Sequence, residues 1–167
     1  MHDVQIRRAM RRDVPEIQAI YNETVLNSTA SYDEEVRPES ERYLWFDDHV
    51  VHGYSVYVAV RGGRVAGWSA LSRFRPRPAY RFTVEDSIYV HKDHRGCGIG
   101  RVLLDAVVRD ARDVLGARTV LAVIGDAENR ASIAVHAAAG FQQVAVLRQV
   151  GFKFGRWLDQ VWMQRLL

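Results

Sequence analysis

Arg95-Gly96-Cys97-Gly98-Ile99-Gly100 is the stretch on which the reading of this chain turns. The β-rich run Ser87-Ile88-Tyr89-Val90 precedes it, and an amphipathic pattern from Val102 to Leu115 follows. A strand therefore runs into a glycine-rich turn that opens a helix. Such a turn gathers backbone N–H groups and the positive end of the helix dipole at one point. Glycines leave room for an anion to reach that backbone. The pattern predicts a phosphate or pyrophosphate site. It is not a P-loop, because Arg101-Val102 stands where a Lys-Ser/Thr pair would be needed. Nor is it the dinucleotide fingerprint, whose glycines are spaced G-x-G-x-x-G near the start of a βαβ unit. Here the spacing is Gly96-x-Gly98-x-Gly100, deep in the chain.

The 167 residues suit one domain, spanning 1–167, with a real core. Hydrophobic residues make up 48% and charged residues 26%, the balance of an ordinary globular chain. No apolar run approaches the ~20 residues of a membrane span. Met1-His2-Asp3-Val4 carries no apolar leader. Cys97 is the single cysteine, so no internal disulfide forms, and a reducing cytoplasm is the expected compartment. Net charge is only +3 and the basic residues are dispersed, which argues against nucleic acid as a partner. Lysine occurs only at Lys92 and Lys153. A chain so biased to arginine favours bidentate grip on carboxylate or phosphate. His91-x-x-His94 offers only two ligands with no acidic or cysteine support, so no metal site is expected.

Periodicity outlines the rest. Val4 to Arg7 alternates as a first strand. Asp13-Val14-Pro15-Glu16 reads as a capping box opening a helix with the stripe Val14, Ile17, Ile20, Tyr21 and Val25. Asn27 to Val36 reads as a loop. A second helix is expected from Pro38 to Val51, with Tyr43, Leu44 and Val50 among its apolar positions. Ser55–Val60 and Arg64–Ser72 form a hairpin about Gly62-Gly63. Arg73 to Pro78 is a loop and Tyr80 to Val90 a strand. Gly116 closes the helix after the glycine turn. Thr119–Ile124 is a buried strand, Asn129–Ala139 a helix, Phe141–Leu147 a strand, Gln149–Arg156 a loop and Trp157–Leu166 the last strand. The order β-α-α-β-β-β-α-β-α-β-β predicts an α/β fold with helices on both faces of a mixed sheet.

Two motifs then carry a resemblance. Arg95, Gly98 and Gly100 fit R-x-x-G-x-G, and Asn129-Arg130-Ala131-Ser132 is followed by Val135-His136-Ala137-Ala138-Ala139-Gly140-Phe141. Together with the element order, these resemble the GCN5-related N-acetyltransferases. The resemblance implies their fold, a mostly antiparallel sheet of about seven strands. It also implies acetyl-CoA as co-substrate, with the glycine turn (Gly96, Cys97, Gly98, Ile99 and Gly100, flanked by Arg95 and Arg101) on its pyrophosphate. Tyr89, Val90, Asn129 and Ser132 would be further cofactor contacts, Asn129 on its pantetheine arm. Ile20-Tyr21-Asn22, Arg75, Arg81 to Val90 and Gly151 to Asp159 further resemble the phosphinothricin and methionine sulfoximine acetyltransferases. That likeness implies acetyl transfer to the α-amine of an unusual L-amino acid by a homodimer.

An amine must be neutral to attack a thioester, so a base is useful. The resemblance places it at Glu85. Read alone, Glu85 could equally be a solvent-facing strand charge. The thioester oxygen needs a donor such as a splayed backbone N–H near Tyr89-Val90. The departing thiolate needs a proton. His136 stands where many relatives carry tyrosine, and an imidazole could serve. It could also be a packed helix histidine. Arg75 and Arg81, with Thr83, are the expected acceptor-binding residues, because guanidinium holds carboxylate or phosphinate bidentately. Another small amine or a protein N-terminus as acceptor, and a non-catalytic acyl-CoA-binding module, remain open on the sequence.

Overall fold

A computed structural model describes residues 4–167, and the expectation for Met1 to Asp3 lies outside them. Seven strands form one sheet: β1 (Val4–Arg8), β2 (Val56–Arg61), β3 (Arg64–Arg73), β4 (Thr83–Val90), β5 (Thr119–Ile124), β6 (Gln142–Lys153) and β7 (Arg156–Leu166). Their spatial order is β1-β2-β3-β4-β5-β7-β6. Every neighbouring pair is antiparallel except β4 with β5. Four helices cover it: α1 (Val14–Asn27), α2 (Glu39–His52), α3 (Ile99–Asp113) and α4 (Arg130–Ala138). The expected element order and the mixed sheet with helices on both faces are what the chain adopts.

The two faces bury different stripes. α1 and α2 place Val14, Ile17, Ile20 and Phe46 against Val56, Val58 and Trp68. On the other face α3 packs Leu104 and Val107 against Leu71, Val84 and Val120. Leu103, Leu104 and Val107 are fully buried, worth about 1.5–3 kcal/mol each. This packing fixes α3 to β4, and so fixes the glycine turn between them. No helix among the described residues is long and apolar enough to cross a membrane.

Four local expectations are corrected. Asp13 does not cap α1 with its side chain. Its carboxylate takes Arg7 at 2.6 and 2.8 Å and the Met10 N–H, while Glu16 accepts the Val65 N–H. Tertiary partners outcompete the local box. In α2, Leu44 and Val50 face out at 69% and 62% exposure, and Arg42, Phe46 and His49 are the buried positions. β4 begins at Thr83 rather than Tyr80, because Pro78–Tyr80 coil into a 3-10 turn. Most of Gln149–Arg156 is strand rather than loop. The ladder slips between Leu147 and Gly151, with Gln149 at φ 53°, and resumes to a two-residue turn at Phe154-Gly155. Asp159 holds the slip by accepting the Gln149 N–H at 2.9 Å.

Candidate active site

β4 and β5 part company halfway. They pair from Thr83↔Thr119 to Asp86↔Ala122 and no further, while β4 stays paired with β3 through Val90. Two parallel strands that diverge leave backbone groups facing an opening. Which groups follows from the β3–β4 ladder. His91 N–H donates to Ala66 O, so bonded positions alternate back through Tyr89 and Ser87. Ile88 and Val90 therefore turn their N–H and C=O towards the opening. Tyr89, expected among the cofactor contacts, commits its backbone to β3 and offers its side chain instead. Ile88 was missed, because phase along a ladder is not written in residue types.

The opening widens into a cleft of about 870 Å³. One end is the glycine turn. Gly98 caps α3 at φ 80°, a left-handed conformation that costs a side chain roughly 1–2 kcal/mol. The cap starts α3 at Ile99, ahead of the expected apolar pattern. Only from Val102, bonded to Gly98 O, does the helix use its own N–H groups. The N–H groups of Ile99, Gly100 and Arg101 are thus free at the cleft, the donor set an anion needs. Arg95 locks the turn by donating to Val90 O at 3.1 Å and to Glu23 at 3.1 Å. Arg101 is held by Asp105 and Ala138 O. Gly96 also lines the cleft, whereas Cys97 is exposed outside it. Asn129 caps α4, its side chain accepting the Ser132 N–H at 3.1 Å, and both residues line the cleft wall.

Glu85 stands in the cleft, half-buried on β4. Burial, and then the adjacent Asp86, raise its pKa above the ordinary carboxylate value. A raised pKa makes it a stronger base once ionised. Asp86 points to the opposite face and meets His136, Nε2 to Oδ2 at 3.0 Å. His136 is 2% exposed, and its Nδ1 donates to Ser132 O at 2.7 Å. Burial works to lower the imidazole pKa, but the hydrogen bond and charge of Asp86 outweigh it and raise it. Both ring nitrogens are therefore occupied within the protein. His136, expected as a proton donor, lines the cleft with its ring held between Ser132 and Asp86, a buried contact that ties α4 to β4. Its partner Asp86 was not singled out from sequence, since nothing local links positions fifty residues apart.

Residues 28–33 form the opposite wall. Lys153 donates to Ser28 O and Ser31 O at 2.9 and 2.7 Å, and Thr29 donates to Asp126. Tyr32 donates to Gly125 O at 2.6 Å and lies across Gly151, where an added Cβ would sit 2.5 Å from its ring. The expected acceptor residues lie elsewhere. Arg75 is exposed over Phe74 and Tyr80, Arg81 is exposed over Phe82, and neither lines the cleft, nor does Thr83. Among the described residues no cluster of three or more metal-ligating side chains occurs.

The model of the acetyltransferase (GNAT) family matches residues 17–141, which include the splayed strands, the glycine turn and α4. The chain belongs to this family. It is 44% identical over 156 residues to a phosphinothricin N-acetyltransferase of Alcaligenes faecalis, covering 93% of this chain and 78% of that protein. To an L-methionine sulfoximine/L-methionine sulfone acetyltransferase of Pseudomonas aeruginosa it is 42% identical, covering 95% and 92%. The crystal structure of a GNAT phosphinothricin acetyltransferase from Sinorhizobium meliloti, in complex with acetyl-CoA, superposes with a TM-score of 0.95. That protein is 43% identical, with 99% of this chain and 89% of the other covered. The splay and the glycine turn both fall within the family match and open onto one cleft.

Proposed function

We propose that this GNAT protein is an acetyl-CoA-dependent N-acetyltransferase acting on the α-amine of small L-amino acid analogues such as phosphinothricin, methionine sulfoximine or methionine sulfone. The observation that carries the reading is Glu85 on the same cleft as the β4–β5 splay and the glycine turn. The relatives named for these acceptors match nearly the whole chain.

The residues divide the work as follows. The free N–H groups of Ile99, Gly100 and Arg101 receive pyrophosphate. Ile88 and Val90 offer strand-like backbone partners to the pantetheine arm, and Asn129 adds a side-chain contact. The thioester supplies an acetyl group already activated for attack. Glu85, directly or through water, takes a proton from the acceptor ammonium. The amine attacks the acetyl carbon, and the Ile88 or Val90 N–H stabilises the negative charge developing on its oxygen. The attacking nitrogen gives up its second proton to water as the C–S bond breaks, leaving amide and CoA thiolate, which takes a proton from solvent. Asp86 and His136 act as positioning residues that fix β4 against α4.

A homodimer in a reducing cytoplasm completes the reading. Phe152, Phe154, Trp157, Val150 and Val144 are all more than half exposed on the β6–β7 hairpin, an apolar face that suits a second copy. The test is thiol release from acetyl-CoA with L-phosphinothricin, L-methionine sulfoximine and L-methionine sulfone beside spermidine, an aminoglycoside and a short peptide. Turnover confined to the amino acids is expected. Turnover only with an amine or peptide would overturn the acceptor, and CoA binding without turnover would overturn the enzyme.

A further inference from the structure

The β6–β7 hairpin inverts the usual arrangement of side chains. Phe152 and Phe154 face out, more than half exposed, while Lys153 between them is 2% exposed. Burying an ammonium is costly, and buried charges are normally paired with an opposite charge. Here the Lys153 Nζ donates instead to two backbone carbonyls, Ser28 O at 2.9 Å and Ser31 O at 2.7 Å. Burial pushes its pKa below the ordinary lysine value, with the charges of Asp33 and Glu34 opposing.

Both carbonyls belong to the segment that walls the cleft. Ser28 ends α1, whose last turn carries no basic residue of its own. Lys153 supplies, from 125 positions away, the cation that the negative end of the helix dipole favours. Residues 28–38 form neither helix nor strand, so side-chain anchors must fix their backbone. Ser31 is the junction. Its hydroxyl lies 3.0 Å from the Tyr21 hydroxyl and accepts the Asp33 N–H at 3.1 Å. Tyr21 in turn meets Tyr89 edge-on at 5.3 Å. Tyr89 and Glu85 stand an even number of positions apart on β4 and share one face of it. A chain of contacts thus runs from Lys153 through Ser31 and Tyr21 to the face of β4 that carries Glu85.

We propose that Lys153 is a positioning residue of the acetyl transfer, holding the 28–33 wall at the separation from Glu85 that the reaction requires. This rests on the reading of the chain as an N-acetyltransferase with Glu85 in its cleft, and not on which amine it takes. Lys153 does not line the cleft and acts only through the carbonyls it holds. The wall has a second support on the same hairpin. Tyr32 lies across Gly151, where an added Cβ would sit 2.5 Å from its ring. Gly151 has no left-handed φ, so alanine suits its backbone and acts by pushing the Tyr32 ring. It moves the same wall while leaving Lys153 in place.

The test measures thiol release in Lys153→Met, Lys153→Arg and Gly151→Ala, with each substrate varied in turn and with whichever acceptor the wild type turns over. Lys153→Met should lose about 10–100-fold in kcat/KM for the acceptor, while the KM for acetyl-CoA stays within about twofold. Lys153→Arg, whose guanidinium can donate to both carbonyls, should recover to within about fivefold of wild type. Gly151→Ala should lower the same acceptor parameter by about 3–10-fold. A folded Lys153→Met with wild-type acceptor kinetics would overturn the proposal. So would equal losses on both substrates that arginine does not relieve, the mark of a lysine that only holds the fold together. Should Lys153→Met not fold, Gly151→Ala decides, and unchanged acceptor kinetics in it overturn the proposal. A wild type that turns over no acceptor overturns the enzyme reading first, and this inference with it.

Discussion

His136→Ala should be among the most destabilising single substitutions in this chain, and its cost should depend on pH. The wild-type imidazole faces Asp86 Oδ2 at 3.0 Å, with both side chains almost wholly buried. Asp86 Oδ1 already has no partner. Removing the ring leaves a buried carboxylate with neither oxygen satisfied, and also removes the edge-on contact with Phe141 at 5.2 Å. Breaking a buried pair from one side costs about 3–5 kcal/mol, against a total stability of about 5–15 kcal/mol. For a chain of this size that corresponds to a fall in Tm of roughly 6–20 °C. The His136 pKa is raised above 6.5 in the folded state. Its contribution is therefore complete below the unfolded value and lost as pH climbs through the folded one. Urea unfolding followed by circular dichroism at pH 6 and pH 9 measures this. The gap between wild type and variant should be widest at pH 6 and narrower at pH 9. Asp86→Asn, whose amide can still donate to Nε2 of a neutral ring, should cost only about 1–2 kcal/mol. A loss below about 1 kcal/mol for His136→Ala, or one identical at both pH values, would refute the buried ion pair.

Three further outcomes are expected. Gly98→Ala should raise the KM for acetyl-CoA at least tenfold while sparing the acceptor KM, because φ 80° strains any Cβ where the phosphate approaches; steady-state kinetics with each substrate varied checks this. Asp110→Ala should cost about 1–3 kcal/mol in urea unfolding, since the buried carboxylate gathers Arg8, Ser55 and Tyr57 from two strands and the preceding loop, and its loss leaves the buried Ser55 hydroxyl unpaired while Arg8 stays in solvent. Glu85→Gln should stabilise the fold at pH 7, with the gain vanishing towards pH 4. A raised carboxyl pKa means that the ionised form weakens the folded state, and that penalty appears as pH rises past the unfolded value of about 4.5; Tm against pH measures it.

Backbone requirements were the legible part of this site. The glycine turn and the helix starting at Asn129 were both read from residue types, and the structure gives Gly98 a left-handed φ and Asn129 the cap of α4. The Gly62-Gly63 hairpin was readable for the same reason. Partnerships across the sheet were not. Arg42 sits next to Glu41 on α2 and looks like a solvated charge until the aromatic walls of Tyr21, Trp45 and Trp68 close on it. Asp86 lies beside Glu85 yet faces the other way, a difference the period-2 alternation allows but only the fold reveals. The splay itself depends on where the β4–β5 ladder stops, and no single residue type encodes that. Family resemblance supplied Glu85 and the cofactor turn, and it pointed to Arg75 and Arg81, which this chain keeps outside its own cleft.

Glu85→Gln kinetics should come first. With L-methionine sulfone as acceptor and thiol release as readout, kcat/KM for the acceptor should fall by about 10²–10⁴, with the KM for acetyl-CoA within about twofold of wild type. Activity in wild type should decline as pH drops through the raised Glu85 pKa, and that component of the profile should be missing in the variant. A variant within a few-fold of wild type across the pH range would contradict Glu85 as the base and remove the chemical centre from this cleft.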